Sequence, residues 1–119
     1  MTSYIEPQAL KAIASLQRPG KPDLLNRIVD LFKSESPSAI DAIQQGLDAD
    51  DLQAVGNAAH GLKSSSAYVG ARLLSERCRE LEAAAREDNH PACYALADGV
   101  EDLFDASVDA LDLYMTKAA

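Results

Sequence analysis

The stretch Leu52-Gln53-Ala54-Val55-Gly56-Asn57-Ala58-Ala59-His60-Gly61-Leu62-Lys63-Ser64-Ser65-Ser66-Ala67-Tyr68-Val69-Gly70 carries two patterns at once. Leu52, Val55, Ala59, Leu62, Ser66 and Val69 recur at alternating spacings of three and four, the seam of a helix that faces a bundle core. Gly70 follows the last of them and suits a C-terminal cap with positive φ. Asp48-Ala49-Asp50 precedes the stretch, and Asp50 is read as its N-cap. Each residue turns a helix by about 100°, so His60 projects to one side of the seam. It shares its face with Gln53, Gly56, Asn57, Lys63, Ser64 and Ala67, which are polar or small.

Outward from this helix the same periodicity gives four more. Glu6 to Gln17 is short, with apolar Leu10, Ile13, Ala14 and Leu16, and Pro7 fits its first turn. Arg18-Pro19-Gly20-Lys21-Pro22 breaks the chain. Asp23 to about Leu47 follows, with Leu24, Ile28, Leu31 and Phe32 on one stripe and Ile40, Ile43 and Leu47 continuing it. Pro37 either kinks this helix or divides it, because it lacks a backbone donor and crowds the preceding turn; a kinked helix is the favoured reading. Arg72 to Glu87 turns Leu74, Cys78, Leu81 and Ala85 inward. After Asp88-Asn89-His90-Pro91, a stop and restart, a fifth helix runs to about Tyr114. Its expected seam is Cys93, Leu96, Val100, Leu103, Ser107, Ala110 and Tyr114. Asp98, Glu101, Asp102, Asp105, Asp109 and Asp112 form its solvated face.

Composition agrees with an all-α protein. The chain has 119 residues, 47% hydrophobic and only 5% aromatic, with no tryptophan, a mix that suits close-packed helices better than sheets. The length fits a single domain over residues 1–119. Short connections between amphipathic helices imply antiparallel neighbours. The expected architecture is an antiparallel up-down four-helix bundle with a short extra N-terminal helix and a kinked second helix. A net charge of −8 disfavours nucleic acid and anionic membrane surfaces as partners. Met1 to Leu10 lacks a basic start followed by an apolar run, so no signal peptide is read. No stretch approaches the roughly 18 apolar residues of a membrane span, and a cytoplasmic protein is expected. Cys78 and Cys93 lie on apolar stripes and read as buried reduced thiols.

On spacing alone His60 is an ordinary surface histidine. Its neighbours give it a chemistry. Lys63 and Ser64 lie one turn on, at the three- and four-residue spacings that bring side chains together. A neutral imidazole is a nucleophile able to accept a phosphoryl group. A nearby ammonium stabilises the charge of the transferring group, and the Ser64 hydroxyl can donate to a phosphoryl oxygen. Gly56 and Gly61 leave room for a second protein, and each costs about 1 kcal/mol against alanine inside a helix.

The run from Ala59 to Ala71 resembles the signature of histidine-containing phosphotransfer domains, typically His-x-Leu-Lys-Gly-Ser followed by Ser or Ala, a branched residue and Gly. Cys78-Arg79-Glu80-Leu81-Glu82 resembles that family's fourth helix. The likeness extends to Gln17-Arg18-Pro19-Gly20 and the kinked second helix, and is strongest to domains associated with hybrid sensor kinases. It implies that His60 is the phosphoacceptor, at Nε2, with Lys63 as charge partner of the phosphoryl group. Glu82 stands where the family places a Gln or Glu that bonds the imidazole; its rival role is a simple pairing with Arg86. Arg86 matches a basic position that supports the site or docking. Ser64 departs from the family's common glycine, which implies altered partner preference with activity retained.

The resemblance also implies partners: receiver domains of a hybrid sensor kinase and of response regulators, docking on a monomer through Ile13, Leu16, Gly56 and Asn57. The chain needs no cofactor of its own, Mg²⁺ being expected on the receiver. A histidine-kinase dimerisation domain is the nearest enzyme alternative. Its His-Glu/Asp-x-Arg/Lys-x-Pro box is missing, since Gly61 follows His60, and no glycine-rich ATP-binding domain is present. Autonomous kinase activity is not expected. A purely structural helical adaptor is the other alternative, and it leaves the grouping of His60, Lys63 and Ser64 accidental.

Overall fold

The computed structural model describes residues 3–118. Helix α1 spans Pro7–Ala14, α2 Leu24–Asp48, α3 Leu52–Tyr68, α4 Arg72–Arg86, α5 His90–Ala97 and α6 Val100–Ala118. Helices α2, α3, α4 and the bent pair α5–α6 form the antiparallel bundle, and α1 is the extra N-terminal helix.

Local chemistry sets the starts of three helices. Asp23 caps α2 by accepting from the Asn26 amide at 3.1 Å. Asn89 caps α5 by accepting from the Ala92 amide at 3.2 Å. Such caps satisfy amides that have no partner inside the helix. At α3 the cap is Asp51, whose carboxylate accepts from the Ala54 amide at 3.1 Å, and not Asp50 as expected. Asp50 has turned into the left-handed region (φ 55°) and completes the corner instead. His90 Nδ1 lies 2.7 Å from its carboxylate, which ties the α2–α3 corner to the start of α5. Helix α2 runs unbroken through Pro37, so the two-helix alternative falls away.

The seam of α3 is the spine of the core. Leu52, Val55, Ala59, Leu62, Ser66 and Val69 are all buried, as are Leu74, Cys78, Leu81 and Ala85 of α4. Gly70 has φ +77° and its carbonyl accepts from the Glu6 amide at 2.8 Å. That bond docks the N-terminal segment, where Ile5, Leu10 and Ile13 are buried. Gln17 organises the link to α2: its Nε2 donates to the Lys21 and Pro22 carbonyls and its Oε1 accepts from the Leu24 amide at 2.7 Å.

Two stripes differ from expectation. In α2 the core positions are Leu25, Val29, Phe32, Ile43 and Leu47, while Leu31 is 51% exposed. The fifth expected helix bends at Asp98-Gly99, where Gly99 has φ +94°. Arg77 of α4 holds the bend, donating to the carbonyls of Leu96 at 3.2 Å and Asp98 at 2.8 Å. Cys93, Val100 and Ser107 of the expected seam are buried, but the bend shifts the helical phase and brings further residues into the core. Beyond Val100 the buried residues are Phe104, Ser107 and Leu111, with Leu103, Ala110 and Tyr114 only partly covered. Phe104 stacks obliquely on Phe32 with centroids 5.4 Å apart. The acidic residues from Asp98 to Asp112 face solvent as expected.

Cys78 and Cys93 are buried free thiols. Burial pushes the Cys78 thiol up to about 12. Among the described residues no helix is long and apolar enough to cross a membrane.

Candidate functional site

The site forms where α3 and α4 lie side by side. His60, Lys63 and Ser64 come from α3, and Glu82 and Arg86 from α4. The Ser75 hydroxyl, donating to the Lys63 carbonyl at 2.9 Å, fixes the register of the two helices beside the site.

Glu82 is the hub. Its Oε2 lies 2.8 Å from His60 Nδ1 and its Oε1 accepts from Lys63 Nζ at 2.6 Å. Arg86 Nη2 stands 3.5 Å from Oε2 and 3.4 Å from the Asn57 side-chain oxygen. Glu82 thus contacts both His60 and Arg86, with the Arg86 contact the longer. The Glu82 side chain is 15% exposed and that of His60 60%. The Lys63 hydrogen bond holds the Glu82 carboxyl below the usual carboxylate range; burial opposes this, and the His60 contact reinforces it. An ionised carboxylate only accepts, so the proton of a neutral His60 ring sits on Nδ1. Nε2 then carries the lone pair, on an exposed ring.

Ser64 is exposed, and its hydroxyl donates to the His60 carbonyl at 3.3 Å, back along its own helix rather than toward the ring. The two glycines of α3 differ. A β-carbon at Gly61 would meet nothing within 4 Å, whereas one at Gly56 would meet Arg86 Nη1 at 3.2 Å and Ala85 Cβ at 3.4 Å. Gly56 is buried beneath Arg86, so it serves helix packing and does not offer itself to a partner. Ile13, another expected docking residue, is 4% exposed and belongs to the core; Leu16, past the end of α1, is 62% exposed. Asn57 is also exposed.

A surface feature absent from the sequence reading adjoins the site. An apolar groove of about 610 Å³ runs between α2 and α3, with Ile28, Leu31, Gly61, Ser64 and Tyr68 among its lining. Leu31 and Tyr68 are each about half exposed. The available signal was Tyr68, a large aromatic outside the α3 seam, but pairing it with Leu31 requires knowing how the helices pack.

Residues 27–112 match the family model described as the Hpt domain, and the chain belongs to that family. A curated relative, Histidine-containing phosphotransfer protein 2 of Arabidopsis thaliana, is 29% identical over 84 residues, covering 68% of this chain and 54% of the relative. The chain thus spans about half the length of that relative. Among solved structures, histidine-containing phosphotransfer protein B from Pseudomonas aeruginosa PAO1 superposes with a TM-score of 0.87 at 24% identity, covering 98% of both chains. A histidine-containing phosphotransfer protein from maize gives 0.82 at 22% identity, covering 95% of this chain and 83% of its own. These two likenesses are likenesses of fold.

Proposed function

We propose that this chain is a histidine phosphotransfer protein of a multistep phosphorelay. It takes a phosphoryl group from a receiver-domain aspartate onto His60 and passes it to another receiver. The observation that carries the reading is the exposed His60 ring, anchored through Nδ1 to an ionised Glu82. The Nε2 lone pair attacks phosphorus, an N–P bond forms, and the P–O bond to the receiver's aspartate breaks with its electron pair leaving on the carboxylate. The Nδ1 proton stays in the bond to Glu82, whose negative charge stabilises the cationic phosphoimidazole. The return step reverses these bonds.

Lys63 and Arg86 supply positive charge to the phosphoryl oxygens or to the docked partner. Ser64, exposed one turn on from His60, is a further donor for the phosphoryl oxygens. The partners are receiver domains of a hybrid sensor kinase and of response regulators, and any Mg²⁺ belongs to them. The groove between α2 and α3, with Gly61 open at its edge, suits the apolar part of such a docking. The chain acts as a cytoplasmic monomeric carrier and not as a kinase.

The test is transfer from a phosphorylated receiver. His60→Gln abolishes labelling and leaves the helical circular dichroism unchanged, because the side chain is largely exposed. ATP alone labels neither protein. Labelling of the variant would move the acceptor elsewhere, and labelling by ATP alone would make the chain a kinase.

A further inference from the structure

Glu82 serves two cationic or potentially cationic groups with separate oxygens: Lys63 on Oε1 at 2.6 Å and His60 on Oε2 at 2.8 Å. Taken alone, a carboxylate against Nδ1 favours the imidazolium, because opposite charge stabilises the charged form. An imidazolium is protonated on Nε2 as well and has no lone pair for phosphorus. An acceptor histidine gains orientation from such a carboxylate but loses nucleophile to it. The ammonium of Lys63 answers this, since it neutralises the same carboxylate.

We infer that in the resting protein Lys63 acts on His60 through Glu82, as a positioning residue that keeps the ring neutral while Glu82 orients it. This rests on the reading of His60 as the phosphoacceptor. The ion pair is built for such a task. The Lys63 side chain is 29% exposed and that of Glu82 15%, so their charges are less screened than those of a surface pair. Arg86 is the remaining cation facing Glu82, at 3.5 Å from Oε2. Arg79, one turn before Glu82 on α4, is exposed. On the α2 flank Glu35 lines the groove beside Gly61 and Ser64, and no ion pair joins it to His60 among the described residues. Lys63 is therefore the closest positive charge on the carboxylate that holds the ring.

The experiment uses phosphoramidate, a small donor whose P–N bond breaks as ammonia leaves, so that docking plays no part. The initial rate of His60 phosphorylation is followed from about pH 5.5 to 8.5 in wild type, Lys63→Ala, Lys63→Arg, Glu82→Gln and the Lys63→Ala/Glu82→Gln double variant. With Lys63 gone, Glu82 favours the imidazolium and the acidic limb of the profile moves to higher pH. At pH 6 the rate of Lys63→Ala, normalised to its own rate at pH 8, falls about three-fold below the wild-type ratio. Lys63→Arg restores the ratio, and in the Glu82→Gln background the Lys63→Ala change has no effect on it, because the coupling runs through the carboxylate. A second readout follows the His60 ring resonances in the unphosphorylated proteins, where the titration midpoint moves up in Lys63→Ala. If Lys63→Ala scales the rate equally at every pH and leaves the ring titration unmoved, Lys63 acts on the phosphoryl group alone and the inference fails. If wild type takes no label on His60 from phosphoramidate or from a receiver, the underlying reading fails, and the ring titration still decides the coupling.

Discussion

Gly61 offers a direct separation of stability from docking. It lies in the middle of α3, where glycine costs about 1 kcal/mol against alanine, and a β-carbon there would meet nothing within 4 Å beyond its own stretch of helix. Gly61→Ala therefore recovers the helix propensity without a steric penalty. In a domain of this size about 1 kcal/mol raises the melting temperature by about 4 °C. Gly56→Ala is the control: its added methyl presses on Arg86 Nη1 at 3.2 Å, so the same propensity gain is offset by a displaced side chain. For docking the substitution is Gly61→Gln, which keeps a good helix former but fills the open edge of the groove. A partner that approaches the helix there meets an overpacked contact of about 1–3 kcal/mol. Transfer from a phosphorylated receiver then slows about ten-fold, the effect of roughly 1.4 kcal/mol. Labelling by phosphoramidate is unchanged, because a side chain at Gly61 points into open space and the contacts that hold the His60 ring come from Glu82 on α4. Thermal melts followed by circular dichroism and paired transfer assays read both effects. A Gly61→Ala protein less stable than wild type, or a Gly61→Gln protein that accepts from the receiver at the wild-type rate, would refute the reasoning.

Two further outcomes concern the scaffold. Gly70→Ala places a β-carbon 2.6 Å from the Glu6 carbonyl oxygen at a residue with φ +77°; urea denaturation should show a loss of about 2–4 kcal/mol, with the N-terminal segment losing amide-exchange protection first. Cys78, with its thiol pushed up to about 12 by burial, should resist iodoacetamide at pH 8 in the native protein and react at an ordinary rate in denaturant; rapid native labelling would contradict the packing of α4.

Helix identity was largely legible from the chain, because periodicity, caps and breakers are local. The six-residue seam of α3 is buried in full, and the left-handed Gly70 stands where the pattern ends. Local signals were less secure at corners. Asp50 and Asp51 are chemically identical candidates for a cap, and the φ of 55° at Asp50 is a choice made by how α2 turns into α3. The break at Asp98-Gly99 was hidden because a single seam can be counted across it; the Arg77 bonds that hold it come from α4.

The site divides along the same line. That His60, Lys63 and Ser64 share one helical face follows from spacing alone, since three and four residues make one turn. That Glu82 belongs with them came from a resemblance, and only the packing of α4 against α3 brings its two oxygens to Nδ1 and Nζ at 2.8 and 2.6 Å. Packing also decided that Gly56 is covered while Gly61 is open, and that Leu31 leaves the core to line a groove beside the histidine. Contacts within a helix are set by covalent geometry and are written in the sequence. Contacts between helices depend on their register and rotation, which only the whole core determines.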